Sequence, residues 1–401
     1  MLELDAMNML DYLTWRGDIS LLIDPFNEVD NLLLSQLTYV SFDGILSGTE
    51  KMTLKELSDR FFASNSDQET DLTRYHSYIL KRMGDSHRFG NCVVHHYTSR
   101  LLDENNEQFA AVMYDLPDRT TVVSFRGTDE TLIGWKEDLI LSYSEISSQK
   151  DALDYVNRFC TGWRRYRLIG HSKGGNLALY AAMKCDRRIQ RKIIQVISND
   201  GPGLMPGSYD PEEFEKIAPI CTLIVPEKDG IGTIYEMDRK KKIVRTSAGS
   251  IVSAHNMLTW KVERNRLLCT VSESYETLLT RKVVLQFLNE TVPKEREIFV
   301  NDLFDRLEEL GIHTVSQFSK GGMPLLMRVL RSLSEMDDEA KTVAGKMLKT
   351  LSENIGSDLY RTLMQKADAF RKKTEDLGDS IESLIREYRP KLNQKKQEQS
   401  E

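Results

Sequence analysis

Ser172 lies in Leu168-Ile169-Gly170-His171-Ser172-Lys173-Gly174-Gly175-Asn176, where an apolar run enters Gly-x-Ser-x-Gly and a helical pattern follows. This is the pattern of a nucleophile elbow in its expected context. A sharp strand-to-helix turn holds the serine in a strained backbone conformation that only small neighbours tolerate, hence glycine on both sides. The hydroxyl then projects at the carboxyl end of a sheet. The Lys173 amide points at a developing oxyanion, and the following helix adds its positive end. The bland alternative is a tight strand-to-helix turn with an inert serine.

A serine nucleophile needs a base, and the base needs an orienting acid; in this kind of fold they follow in the order Ser, Asp or Glu, His. His255 and His313 are the two histidines after Ser172. His313 falls in a helical stretch after Gly311-Ile312, whereas His255 falls in the loop Ser253-Ala254-His255-Asn256, so His255 is the expected base. Two aspartates follow predicted strands, Asp229 in Val225-Pro226-Glu227-Lys228-Asp229-Gly230 and Asp200 in Asn199-Asp200-Gly201-Pro202-Gly203. Asp229 is nearer His255 in sequence, and Asp-Gly-Pro-Gly is strong turn chemistry, so Asp229 is favoured with Asp200 as the alternative. A second oxyanion donor belongs at an earlier strand end. Phe125-Arg126-Gly127-Thr128 suits that place, because Gly127 allows close backbone approach and Thr128 offers an amide and a hydroxyl. The pair His95-His96 suggests a metal, but neighbours on a strand point to opposite faces and no third ligand is suitably spaced, so neither metal nor cofactor is expected.

Phe125-Arg126-Gly127-Thr128, Trp135, Asp138-Leu139 and Gly-His-Ser-x-Gly-Gly together resemble the class 3 lipase family of α/β-hydrolases over about residues 90 to 260. The resemblance implies that Thr128 and Lys173 supply the oxyanion-hole donors and that Asp229 and His255 complete the triad. Within this group the chain looks most similar to a bacterial branch of unassigned function. That branch carries Gly-His-Ser-Lys-Gly-Gly-Asn, Asn-Asp-Gly-Pro-Gly, an N-terminal Asp-Tyr-Leu-x-Trp-Arg-Gly-Asp matching Asp11 to Asp18, and a helical C-terminal extension. Lys173 departs from the apolar residue usual after a lipase serine. An ammonium there argues against a simple greasy acyl pocket unless its stem packs and its head reaches water.

The elements that must position these groups follow from the hydrophobic pattern. Cys92 to Tyr97, Gln108 to Tyr114 and Thr121 to Phe125 read as strands of an antiparallel meander. Then helix and strand alternate: Asp151 to Cys160, Tyr166 to Ile169, Gly175 to Lys184, Ile193 to Ser198, Cys221 to Val225, with a weaker strand Ile243 to Thr246. Alternation implies a mostly parallel sheet with helices on both faces, an α/β-hydrolase-type core. Helices over Asp30 to Tyr39 and Thr53 to Phe62 form an N-terminal layer. Strand signals stop near residue 272. Phe299, Leu303, Leu307 and Leu310, and later Leu325, Val329 and Leu333, recur at helical spacing, so an all-helical C-terminal extension follows. The expected division is a cap segment 1–85, a core 86–272, a helical region 273–390 and a disordered tail 391–401.

Composition bounds the partners. With 54 basic and 61 acidic residues the net charge is −7, which gives no electrostatic reason for nucleic-acid binding. Five scattered cysteines without a Cys-x-x-Cys pair point away from a disulfide framework or a zinc site. The acidic start, Glu3 and Asp5, is the wrong charge for a secretory signal, and no apolar run spans a bilayer, so a cytoplasmic protein is expected. The oligomeric state is not legible. The function expected is a serine ester hydrolase acting on a small-molecule or lipid ester, whether lipase, esterase, thioesterase or lysophospholipase. The alternative is a catalytically silent scaffold of the same fold used for binding.

Overall fold

The structure is a computed structural model that describes residues 7–64, 71–102, 107–128, 132–237, 241–312 and 338–354, with Gln317, Arg328, Ser332 and Met336. The chain divides into two compact units, residues 1–285 and residues 286–401.

In the first unit nine strands form one mixed sheet. β1 (Lys51–Thr53), β2 (Val93–Leu102), β3 (Glu107–Asp115) and β4 (Thr120–Phe125) pair antiparallel in succession. From β4 onward β5 (Arg165–His171), β6 (Ile193–Asn199), β7 (Cys221–Pro226) and β8 (Lys241–Val244) pair parallel. A hairpin of β9 (Val262–Glu263) and β10 (Arg266–Leu267) stands apart, and β11 (Cys269–Thr270) closes the far edge antiparallel to β8. The parallel centre needs cover on both faces, and β4 is buried at every position.

Alternation along the strands assigns each face its own core. Val122, Ile169, Ile197 and Ile224 point into one cluster with Leu32, Leu33 and Leu37 of the N-terminal helix Glu28–Leu37. Val123, Phe125, Leu168, Val196 and Leu223 point into the other, against Tyr155 and Val156 of helix Ser147–Phe159 and Leu177 and Ala181 of helix Lys173–Lys184. The N-terminal helices are therefore one of the two covering layers. Reciprocal capping boxes start two of them, Asn8 with Asp11 and Asn27 with Asp30. Thr53 and Glu56 do the same for helix Leu54–Ser64. In the Asp11 to Asp18 motif, Tyr12 is buried and donates its hydroxyl to Asp30, and Arg16 pairs with Asp24.

Helix Tyr275–Glu290 follows the sheet. In the second unit Pro293–Glu309 and Asp338–Asn354 are helices, and Lys346 pairs with Glu295 between them. Among the described residues no strand follows β11. His313, Leu325, Val329, Leu333 and everything from residue 355 lie outside the described residues. The architecture is an α/β-hydrolase-type sheet with helices on both faces and a helical C-terminal region. Among the described residues no helix is long and apolar enough to cross a membrane.

Candidate active site

β5 ends at His171, and Ser172 turns the chain into helix Lys173–Lys184 with φ +57° and ψ −131°. That is a strained backbone for any residue with a Cβ. Its neighbours show why the turn is glycine-rich. A Cβ on Gly170 would sit 2.2 Å from the Gly174 carbonyl oxygen, and one on Gly174 would sit 2.2 Å from that of Phe125. The elbow is thereby pressed against β4, and the Ser172 amide donates to Asn199 at the end of β6, at 2.9 Å. The Ser172 hydroxyl makes no hydrogen bond to a described residue.

His255 follows the short helix Ile251–Ala254, whose N-cap Ser250 accepts from the Ser253 amide. Its Nδ1 lies 2.7 Å from Asp200 Oδ2, and its ring stays 27 % exposed while the Asp200 carboxyl is buried. Burial pushes the imidazolium of His255 down to about 4, opposed first by the charge of Asp138, which favours it. The ring is therefore neutral near pH 7 and able to take a proton.

The aspartate that meets the imidazole is thus Asp200, where sequence reasoning had favoured Asp229. Asp229 is turned inward. Its Oδ1 accepts from the Gly232 amide at 2.8 Å, and its own amide donates to Thr277 Oγ1 at 2.7 Å. The reason is lateral. β6 neighbours the elbow strand β5 and β7 is one strand further out, so Asp200 ends nearer the serine turn. Nearness to His255 in sequence carries no weight, because the loop bearing His255 folds back across the strand ends.

On the β4 side, Gly127 touches the elbow. A Cβ there would meet Tyr39 Oη at 2.3 Å, the His171 carbonyl oxygen at 2.4 Å and Ser172 Cβ at 3.0 Å. Thr128 follows, but its hydroxyl donates to Asp138 Oδ2 at 2.6 Å, so its amide is what it has left to offer an oxyanion. Burial raises the Asp138 carboxyl to about 6, opposed first by the charge of Lys173. The Lys173 amide opens the helix and has no intrahelical acceptor. Its side chain does not reach water. It is fully buried, with Nζ paired to Glu137 and donating to the Gln108 carbonyl at 2.9 Å. Ser148 donates to the other Glu137 oxygen. The ammonium is neutralised inside the helical layer that covers this face.

Two contributors escaped sequence reasoning. His171, the variable residue of Gly-x-Ser-x-Gly, lies 2.8 Å by Nδ1 from Tyr39 Oη and 2.8 Å by Nε2 from the His255 carbonyl. Its ring centroid is 4.5 Å from that of His255. Burial holds it well below the ordinary histidine range. Tyr39 follows Thr38 at the end of the N-terminal helix, and that helix also sends Asn31 to Asn199 (2.8 Å) and takes a bond from Asn199 to Ser35 (3.2 Å). Nothing in the pattern around Tyr39 marks it, since its partner is distant in sequence.

The histidine pair is a second correction. His95 and His96 do not face opposite ways: a bulge after His95 breaks the register and His96 takes φ +52°, so their Nδ1 atoms meet. Asp115 lies 3.3 Å from His95 Nε2. Among the described residues no three His, Cys, Asp or Glu side chains converge as a metal site.

No curated protein matches the chain. Among solved structures it is similar to the crystal structure of M37 lipase at 13% identity and a TM-score of 0.32, over 51% of this chain and 67% of that one. The family model described as Mbeg1-like matches residues 83–305, which include the elbow, both strand-end aspartates and the His255 loop. By that match over more than half its length, the chain belongs to the Mbeg1-like family.

Proposed function

We propose that this protein is a serine hydrolase that cleaves carboxylic esters. Ser172 attacks the carbonyl carbon, and His255 takes the hydroxyl proton and passes it to the leaving group. Asp200 orients the imidazole in place of Asp229. The amides of Thr128 and Lys173 receive the oxyanion, and water completes the second half of the cycle by the same route. No cofactor enters. The observation that carries this reading is the 2.7 Å contact between His255 Nδ1 and the buried Asp200, beside a serine held at φ +57°. The burial of Lys173 is compatible with an apolar acyl group, because the ammonium is paired with Glu137 and not offered to the substrate.

The second reading is a silent scaffold. What favours it is the absence of a hydrogen bond from the Ser172 hydroxyl to the imidazole, although such bonds are often long without substrate. Covalent labelling by a fluorophosphonate separates the two. The full-length protein should label at one site, and Ser172→Ala should abolish labelling. Labelling that survives Ser172→Ala, or a wild type that does not label, rejects the hydrolase reading.

A further inference from the structure

We propose that His255 is oriented by a pair of carboxyl groups and not by a lone carboxylate: Asp229 keeps a proton and donates it to Asp200, which in turn meets His255 Nδ1. This rests on the reading of Ser172, His255 and Asp200 as the triad.

The loops after β6 and β7 are stitched together. The Asp200 amide donates to Ile224 at 2.7 Å, and the Gly203 amide donates to Ile234 at 2.8 Å. Both aspartates are 1% exposed. Each carboxyl acts on the other's ionisation, and the Gly232 amide acts on both. Gly232 is packed on the pair, its amide on Asp229 Oδ1 and its Cβ position 2.8 Å from Asp229 Oδ2. Asp200 uses Oδ2 on His255, while its Oδ1 is buried without a partner in hydrogen-bond geometry among the described residues, although the Gly232 amide favours the anion of Asp200 as it does that of Asp229. A buried carboxylate oxygen without a donor is costly, and two buried carboxylates in contact do not both ionise. One proton between them resolves both problems.

The surroundings decide which aspartate holds it. Asp200 faces the imidazole N–H, which favours its anion. Burial raises the Asp229 carboxyl and the Asp200 charge raises it further; Lys241 of β8 is the cation that opposes this. The other ionisable neighbours are His171, whose ring lies 4.5 Å from that of His255, and Asp138 of helix Leu132–Ile140, whose charge reaches His255. Asp229 is thus a positioning residue. It presents Asp200 to the imidazole and confines the aspartate pair to one negative charge, which the imidazolium balances when it forms.

The test compares three variants of the full-length protein by their rate of fluorophosphonate labelling, with thermal melting as a control. Asn at position 229 retains a donor, so Asp229→Asn should label within roughly threefold of wild type. Asp229→Ala removes the donor and should label roughly tenfold more slowly. Asp200→Asn should lose far more than either. If Asp229→Asn is as slow as Asp200→Asn, Asp229 acts as an anion and the proposal is overturned. Equal rates for Asp229→Asn and Asp229→Ala would overturn it too. Since Asp229→Ala can disturb the Gly232 turn, infrared difference spectroscopy provides an independent reading. Wild type minus Asp229→Asn at neutral pH should show the carbonyl band of a protonated carboxyl, and a carboxylate band alone would sink the idea. Failure of the triad reading looks different, since Ser172→Ala would then still label, or the wild type would not label at all, whereas the infrared band reports on Asp229 in either case.

Discussion

Asp30 and Asp200 are both fully buried aspartates in the first unit, and they are furnished very differently. Asp30, in the N-terminal layer, takes Nε of Arg88 at 2.7 Å and the Tyr12 hydroxyl at 2.9 Å on one oxygen. Its other oxygen takes Nη2 of Arg88 and the Asn27 amide at 3.0 Å. Arg88 spends its remaining hydrogens on the carbonyls of Ile19 and Asp24, each at 3.0 Å, and of Pro25 at 3.4 Å. Every lone pair has a donor, as a buried charge used for architecture requires. Asp200 has the partly exposed imidazole on one oxygen and a second carboxyl beside it. A carboxylate so poorly supplied is a poor building block, but it can hold an imidazole that must gain and lose a proton. Burial is the same for both; the donor set is what differs.

The comparison breaks most visibly at Asp200. An orienting carboxylate is worth roughly 10⁴ in turnover in the serine-protease template. Asp200→Asn should therefore slow fluorophosphonate labelling by about that order, with a melting temperature close to wild type. Near-normal labelling would place Asp200 with Asp30 as an architectural group. Asp30→Ala should behave in the opposite way. It strands the Arg88 guanidinium, and breaking a buried pair costs about 3–5 kcal/mol. Denaturant melts should report that loss, while the fraction that stays folded labels at the wild-type rate. A slower rate in folded Asp30→Ala would show that the two regions are coupled.

Gly127→Ala sharpens the boundary between them, because its Cβ would collide with Tyr39 of the N-terminal layer and with the His171 carbonyl at the end of β5. The obstruction is partly backbone and cannot rotate away. Displacing an oxyanion donor costs roughly 10²–10³ in rate, and labelling should fall by about that much. Tyr39→Phe removes only the hydroxyl on His171 Nδ1 and should cost about 1 kcal/mol of stability, with a change in labelling of less than tenfold.

Acid provides the mildest contrast. His255 is pushed from 6.5 to about 4 by burial, and His171 is pushed well below 6.5 for the same reason. The unfolded chain therefore binds more protons than the native one below about 6.5, so the stability these rings contribute is present above that pH and lost as pH falls towards 4. The labelling rate should keep its neutral-histidine plateau well below pH 6.5. Hydrogen exchange should show the loop carrying His255 losing protection in acid before the layer built on Asp30. A rate that halves at pH 6.5 would mean that His255 titrates as an exposed histidine.

Local patterns carried much of this protein. The strand-glycine-serine-glycine-helix order and the apolar, β-branched runs of β2 to β7 are legible because an elbow and a strand depend on neighbours a few residues away. The capping box of Thr53 and Glu56 is legible for the same reason, and so is the end of strand signals near residue 272. The choice between Asp200 and Asp229 was not, since it depends on which strand lies beside β5 and on how the His255 loop returns over the sheet. Nor was the bulge that turns His96 towards His95, which cancels the alternation rule at that one step. Tyr39 reaches His171 across 132 positions of sequence, and Lys173 reaches Glu137 across 36. Side-chain partners that far apart leave no periodic trace. They are set by the lateral order of strands and the stacking of layers, which only the folded chain defines.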